Sequence, residues 1–283
     1  MYLIQENLNK KLSMINLLLM VLILSSCKTV SEEAFTTAAL EDHQNLTPTS
    51  AIKYSRYALM ASNSYHNKKN LFPFDQSRYK IEPINDWLSD LQYDILEIEN
   101  SDEIVIAYRG TNSFWDYYTT NLSLVSLQAE LAHYHLKKLI TKYKDQNKTI
   151  VLVGHSLGGG LAIGLSLREG VKAVAFNPSP RLFDAFGLPP WNYNKPAERI
   201  IIYQEGEILD TLRKLSIIDN ARELVKKENI YKTRFKFEKC TDFICNHEIY
   251  SLAKNILLLA LQDKDKDENY KELEKICSEI NCN

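Results

Sequence analysis

Ser156 carries the strongest chemical signal in the chain. It stands in Gly154-His155-Ser156-Leu157-Gly158, directly after the apolar, β-branched run Thr149–Val153 and at the head of a small-residue stretch that continues to Gly164. A buried strand that passes through Gly-x-Ser-x-Gly into a helix is the setting of a nucleophile elbow. The turn is too tight for side chains at Gly154 and Gly158. It lifts the serine oxygen above the sheet and sets the free amides and positive dipole end of a helix beneath it. In that frame the Leu157 amide points at a developing oxyanion, and the chemistry implied is acyl transfer through the serine.

A serine hydroxyl needs a base, and the base needs an acid to orient it. With an elbow of this kind the order along the chain is serine, acid, histidine. Of 6 histidines, only His247 follows Ser156, in Cys245-Asn246-His247-Glu248 just before the apolar run Ile249–Leu261. The acid should follow the strand-like Arg199–Gln204, where Glu205, Glu207 and Asp210 are all within reach. His155, the neighbour of the serine, is read as packing rather than reacting. The scheme needs no metal and no cofactor.

The elements that must position these groups alternate. Helical spacing predicts a first helix over Ala51–Tyr65, and residues 66–90, with Pro73 and Pro83, read as loop. Leu91–Ile98 and Glu103–Tyr108 have strand character, with turn chemistry in Asn100-Ser101-Asp102 between them. Leu127–Tyr143 reads as an amphipathic helix and Thr149–Val153 as a buried strand. Then come helix Gly158–Arg168, strand Lys172–Phe176, strand Arg199–Gln204 and helix Ile249–Leu261. Such alternation predicts an α/β fold with a mostly parallel central sheet and helices on both faces. The residues after Lys264 read as a charged, partly helical tail.

Together these residues resemble the class 3 lipase family of α/β-hydrolases. The resemblance rests on Gly154-His155-Ser156-Leu157-Gly158-Gly159 and on Ala107-Tyr108-Arg109-Gly110-Thr111, which is like that family's aromatic-Arg-Gly-Ser/Thr strand end. The spacing from there through a helix to the elbow also matches, and the likeness falls within residues 50–260. It implies an ester or lipid substrate, and an oxyanion hole in which Thr111 acts beside Leu157. It also implies that Glu207, in Gly206-Glu207-Ile208-Leu209, stands where the family usually has Asp followed by two aliphatics. Asp210 stays the alternative acid. A lid is implied over Asn112–Leu127. There Phe114, Trp115, Tyr117 and Tyr118 could line an acyl-chain site or equally form a buried helix face. Arg109 would hold the loop together and Asp116 would cap the segment that follows. The same machinery could pass the acyl group to another alcohol or cleave a thioester. A reading of another class is a lipid-anchored surface binding protein that has lost its catalysis.

The first residues read differently from the rest. Lys10 and Lys11 precede the mostly apolar Leu12–Leu24, which is shorter than the ~20 residues needed to span a bilayer. That pattern is a secretory signal, and Leu24-Ser25-Ser26-Cys27 resembles the lipobox of bacterial lipoproteins. It implies a signal peptide over 1–26 and a lipidated Cys27 that holds the protein on a membrane surface. A polar tether follows to residue 48, then an α/β-hydrolase domain over 49–263 and a tail over 264–283. Lys28, where an Asp would favour the inner membrane of enteric bacteria, leans towards the outer membrane or cell surface. The remaining Cys240, Cys245, Cys277 and Cys282 suit disulfides in an oxidising compartment. Local pairs and a cross-link between the two segments are both open. The spacing is wide for a zinc site. A net charge of -2 with no clustered basic face argues against nucleic acid as a partner.

Overall fold

The computed structural model describes residues 44–69, 71–87, 89–110, 122–179, 195–207, 229–235, 245–263, 265 and 267–282, without the side chains of 122–127 and Cys245. The expected signal peptide, Cys27 and residues 28–43 lie outside the described residues, as do Thr111, Asp210 and Cys240.

Among the described residues, eight strands form one sheet: β1 (Gln44–Asn45), β2 (Tyr79–Asp86), β3 (Leu91–Ile98), β4 (Glu103–Tyr108), β5 (Thr149–His155), β6 (Lys172–Phe176), β7 (Arg199–Gln204) and β8 (Ile230–Thr233). Their order is β1-β8-β7-β6-β5-β4-β3-β2. From β4 through β8 to β1 every neighbour is parallel, and at the other edge β3 pairs antiparallel with both β4 and β2. The helices are α1 (Pro48–Asn63), α2 (Leu122–Lys144), α3 (Leu157–Glu169), α4 (Ile249–Ala260) and α5 (Glu268–Glu279).

The two faces of the sheet are covered by different helices, and the strands' alternation shows it. On β5, Val151 and Val153 join one core with Ala58 of α1, Leu252 of α4 and Leu273 of α5. Ile150 and Leu152 point the other way, into a core with Leu136 of α2 and Leu161 of α3. A strand buried on both faces must be apolar throughout, which is why β5 reads as a continuous hydrophobic run. This is the mostly parallel α/β sheet with helices on both faces expected from the alternation of elements.

Strands β3, β4, β6 and β7 have the predicted boundaries. Four segments differ from expectation. Residues 79–86 form an edge strand, not a loop. Pro83 opposes Asp94 of β3 there, and an edge can hold a proline because its outer side has no ladder to break. The expected tether ends sooner, since Gln44 and Asn45 pair with Tyr231 and Lys232 of β8, and Leu46 is buried. The strand β8 itself, only four residues long, was not predicted. The tail after Lys264 contributes α5, whose Tyr270, Leu273, Ile276 and Cys277 are buried, while Glu268, Lys271, Glu274, Lys275 and Glu279 are exposed and Glu272 pairs with Arg78 and Tyr79. Cys277 and Cys282 form a local disulfide across a sequence separation of 5.

Candidate active site

The parallel strands deliver their C-terminal ends to one rim of the sheet, where open α/β sheets place their sites. Ser156 lies there between β5 and α3, with φ 54° and ψ -122°. A non-glycine residue with that backbone is strained, at a cost of order 1–3 kcal/mol. The surroundings enforce it. The Ser156 amide donates to the Phe176 carbonyl at 3.1 Å, and the Ser156 carbonyl accepts from the amides of Gly160 at 3.0 Å and Ser179 at 2.8 Å. The flanking glycines are forced by close approach. A Cβ on Gly154 would collide with the backbone of Gly158, and one on Gly158 with the Tyr108 carbonyl of β4. Both obstacles are main chain, so neither can swing aside. Gly158→Ala is therefore expected to cost about 1–3 kcal/mol by overpacking and to lower the reactivity of Ser156. Denaturant unfolding checks the first part, and an unchanged midpoint would show that β4 and α3 can part without cost.

The His247 ring approaches Ser156 from a 3-10 turn, Cys245–His247. Its Nε2 is 2.9 Å from Ser156 Oγ, and its Nδ1 is 2.6 Å from Glu207 Oε2. The next residue, Glu248, caps α4, its carboxylate accepting from the amides of Tyr250 at 2.9 Å and Ser251 at 2.6 Å. The helix behind the base is thus anchored in the α1–α4 core. Glu207 follows β7 with its side chain fully buried, while the His247 side chain is 13% exposed. A buried carboxylate costs several kcal/mol unless it is paired. Here the imidazole supplies the partner, and the carboxylate in turn selects the tautomer with the proton on Nδ1. That leaves Nε2 free to take the serine proton.

The sequence-predicted residues divide cleanly. Ser156, His247 and Glu207 stand in one line of hydrogen bonds. Leu157 begins α3, in the first turn where amides have no partner within the helix. Of the other carboxylates weighed as acid, Glu205 turns away to an ion pair with Arg234, and Asp210 is outside the described residues. Of the expected lid, residues 112–121, with all four aromatics and Asp116, also lie outside them, and from Leu122 the chain is already helix α2. Arg109 does tie its loop, with its amide donating to the Gln92 carbonyl at 3.0 Å, its guanidinium to the Gln92 side chain, and its charge 5.8 Å from the Tyr65 ring centroid. Sequence reasoning missed Tyr65. Its hydroxyl meets His155 Nδ1 at 2.8 Å, and His155 Nε2 meets the His247 carbonyl at 2.8 Å. No spacing in the sequence announces contacts between residues 90 and 92 positions apart.

Comparison with known proteins gives a family. A family model described as Tle-like phospholipase domain matches residues 66–228, more than half of the chain. Ser156 and Glu207 fall within the match and His247 beyond it. The extracellular phospholipase A1 of Serratia liquefaciens is 31% identical over 119 residues, 40% of this chain and 36% of that protein. The chain thus matches little more than a third of this relative's length. Among solved structures, a Penicillium expansum triacylglycerol lipase is 18% identical, with 67% of this chain and 82% of that one covered at a TM-score of 0.45. A lipase from Rhizopus microsporus var. chinensis is 16% identical, with 62% and 74% covered at a TM-score of 0.43.

Proposed function

The chain belongs to the Tle-like phospholipase domain family, and we propose that it is a serine hydrolase cleaving the carboxylic esters of lipids through an acyl-enzyme. The observation that carries the reading is the unbroken line Glu207–His247–Ser156, at 2.6 and 2.9 Å, ending on a strained serine at a helix N-terminus. His247 Nε2 takes the Ser156 proton as Oγ bonds to the ester carbonyl carbon. The carbonyl oxygen becomes an oxyanion held by the amides of Leu157 and Thr111. The tetrahedral centre collapses, the C–O bond of the ester breaks, and the imidazolium gives its proton to the departing alcohol. Water repeats the sequence and releases the acid. Glu207 holds the tautomer and stabilises the imidazolium formed midway.

Lipid as the substrate class draws on the family and on the Serratia relative, a phospholipase A1. Export is supported by the apolar leader and by the extracellular Serratia relative. A diacylated Cys27 would hold the domain against a membrane, where its substrate lies.

The test compares the full-length chain with its Ser156→Ala variant on nitrophenyl esters from acetate to palmitate and on phosphatidylcholine vesicles. Serine-dependent turnover that rises with chain length or appears on vesicles is the expected result. Turnover on short esters alone would narrow the substrate to small esters. Transfer to an added alcohol in place of water would make it an acyltransferase. No turnover and no labelling of Ser156 by a fluorophosphonate would favour a binding protein.

A further inference from the structure

His155 is buried beside the nucleophile, yet it does more than fill space. Both ring nitrogens have partners. A carbonyl can only accept, so the contact from Nε2 to the His247 carbonyl, at 2.8 Å, requires the proton on Nε2. In the neutral ring Nδ1 must then accept, and the Tyr65 hydroxyl at 2.8 Å is its donor. The Tyr65 oxygen lies directly against Gly110, where an added Cβ would collide with it. Burial pushes the Tyr65 hydroxyl well above the ordinary tyrosine range, more than the Gly110 amide and Arg109 pull it back, so it keeps the proton it must donate.

These contacts join four parts of the chain. Gly110 ends the β4 segment just before Thr111. Tyr65 follows α1, His155 ends β5, and the His247 carbonyl belongs to the base itself. We propose that Tyr65 and His155 are positioning residues. Their relay, from Tyr65 through His155 to the His247 carbonyl, sets the backbone of the base, and Tyr65 packs it against Gly110 at the end of the strand that leads into the oxyanion side of the site. The inference rests on Ser156 as nucleophile and His247 as base. The Glu207 contact fixes the ring from its far nitrogen, and the relay fixes the main chain from which the ring hangs. Without the relay, the main chain under the ring loosens, and both the contact with Glu207 and the approach to Ser156 Oγ lose their fixed geometry. A displacement of about 1 Å at such a site can cost on the order of a hundredfold in rate.

Substitutions at His155 separate its two nitrogens. Asn reaches the Nδ1 position, so His155→Asn keeps a partner for Tyr65 and loses the donor to His247. Gln reaches the Nε2 position, so His155→Gln keeps that donor. The full-length chain in detergent micelles would be compared with Tyr65→Phe, His155→Asn and His155→Gln. Two readings would be taken: kcat and KM on a soluble nitrophenyl ester, and the deshielded ring-proton resonance of the His247–Glu207 pair by proton NMR. Tyr65→Phe and His155→Asn are expected to lower kcat by about 10- to 100-fold with KM unchanged, and to broaden the resonance. His155→Gln keeps the donor to His247 but not the Tyr65 contact, so it should recover part of both relative to His155→Asn. Unchanged kcat in the first two variants, or a Gln variant no better than the Asn variant, would overturn the proposal. Should the parent chain show no Ser156-dependent turnover, the ester reading fails and the resonance alone decides. Intact in His155→Asn, it removes the positioning role. Lost there and partly restored in His155→Gln, it upholds it.

Discussion

Ser156→Ala is expected to lower kcat on any ester the protein cleaves by on the order of 10⁴- to 10⁶-fold, since serine, base and acid act as a unit. The fold should survive. Ser156 donates and accepts main-chain bonds to Phe176, Gly160 and Ser179 that alanine keeps. The hydroxyl contributes one hydrogen bond, to His247. Stability offers a second, independent check. Ser156 holds φ at 54°, a backbone that alanine suits no better than serine and glycine suits well. Ser156→Gly should therefore be more stable than Ser156→Ala, although glycine normally loses more chain entropy on folding. An elbow kept strained for chemistry predicts that order, and the reverse order would mean that the turn is relaxed in solution. Residual Ser156→Ala turnover within tenfold of the parent would remove the serine from the reaction altogether.

What could be read from the sequence follows the range of the interactions. The elbow was legible because its parts are contiguous. A strand, a turn that excludes side chains and a helix start occupy residues 149–169 and need no distant partner to be recognised. His247 was legible by elimination, being the one histidine after the serine. Glu207 and Asp210 could not be separated that way, because both follow β7; Glu207 is buried against His247, and Asp210 lies outside the described residues. Tyr65 and its contact with His155 were invisible because 90 positions separate the two residues. The misread elements have local causes. Strand β2 carries Pro83 and exposes most of its side chains, so neither composition nor burial marks it as a strand. Helix α5 looked like a charged tail because only one side of it touches the core. Its buried residues recur at Tyr270, Leu273, Ile276 and Cys277, a spacing of three or four that could have been weighed against the charge count.

The identity of the acid is where the sequence left a choice, and there the expected effects are large. Glu207→Gln preserves shape and removes the charge. Its amide can present an N–H to His247 Nδ1, which would push the ring proton to Nε2, facing Ser156 Oγ. The ring could then no longer accept the serine proton, and kcat should fall by about 10³- to 10⁴-fold. Glu207→Asp keeps the charge but shortens the reach by one carbon. With Nδ1 and Oε2 now 2.6 Å apart, the contact would lengthen past a good hydrogen bond unless the turn after β7 moved. A loss of about 10-fold is expected, smaller than for Gln because an unpaired imidazolium still feels the carboxylate. Asp210→Asn should leave kcat within about threefold. The three variants assayed side by side on one ester give opposite rankings for the two acids. A severe loss in Asp210→Asn with an active Glu207→Gln would make Asp210 the orienting acid. Glu207 would then be only a buried tether for the loop that carries His247.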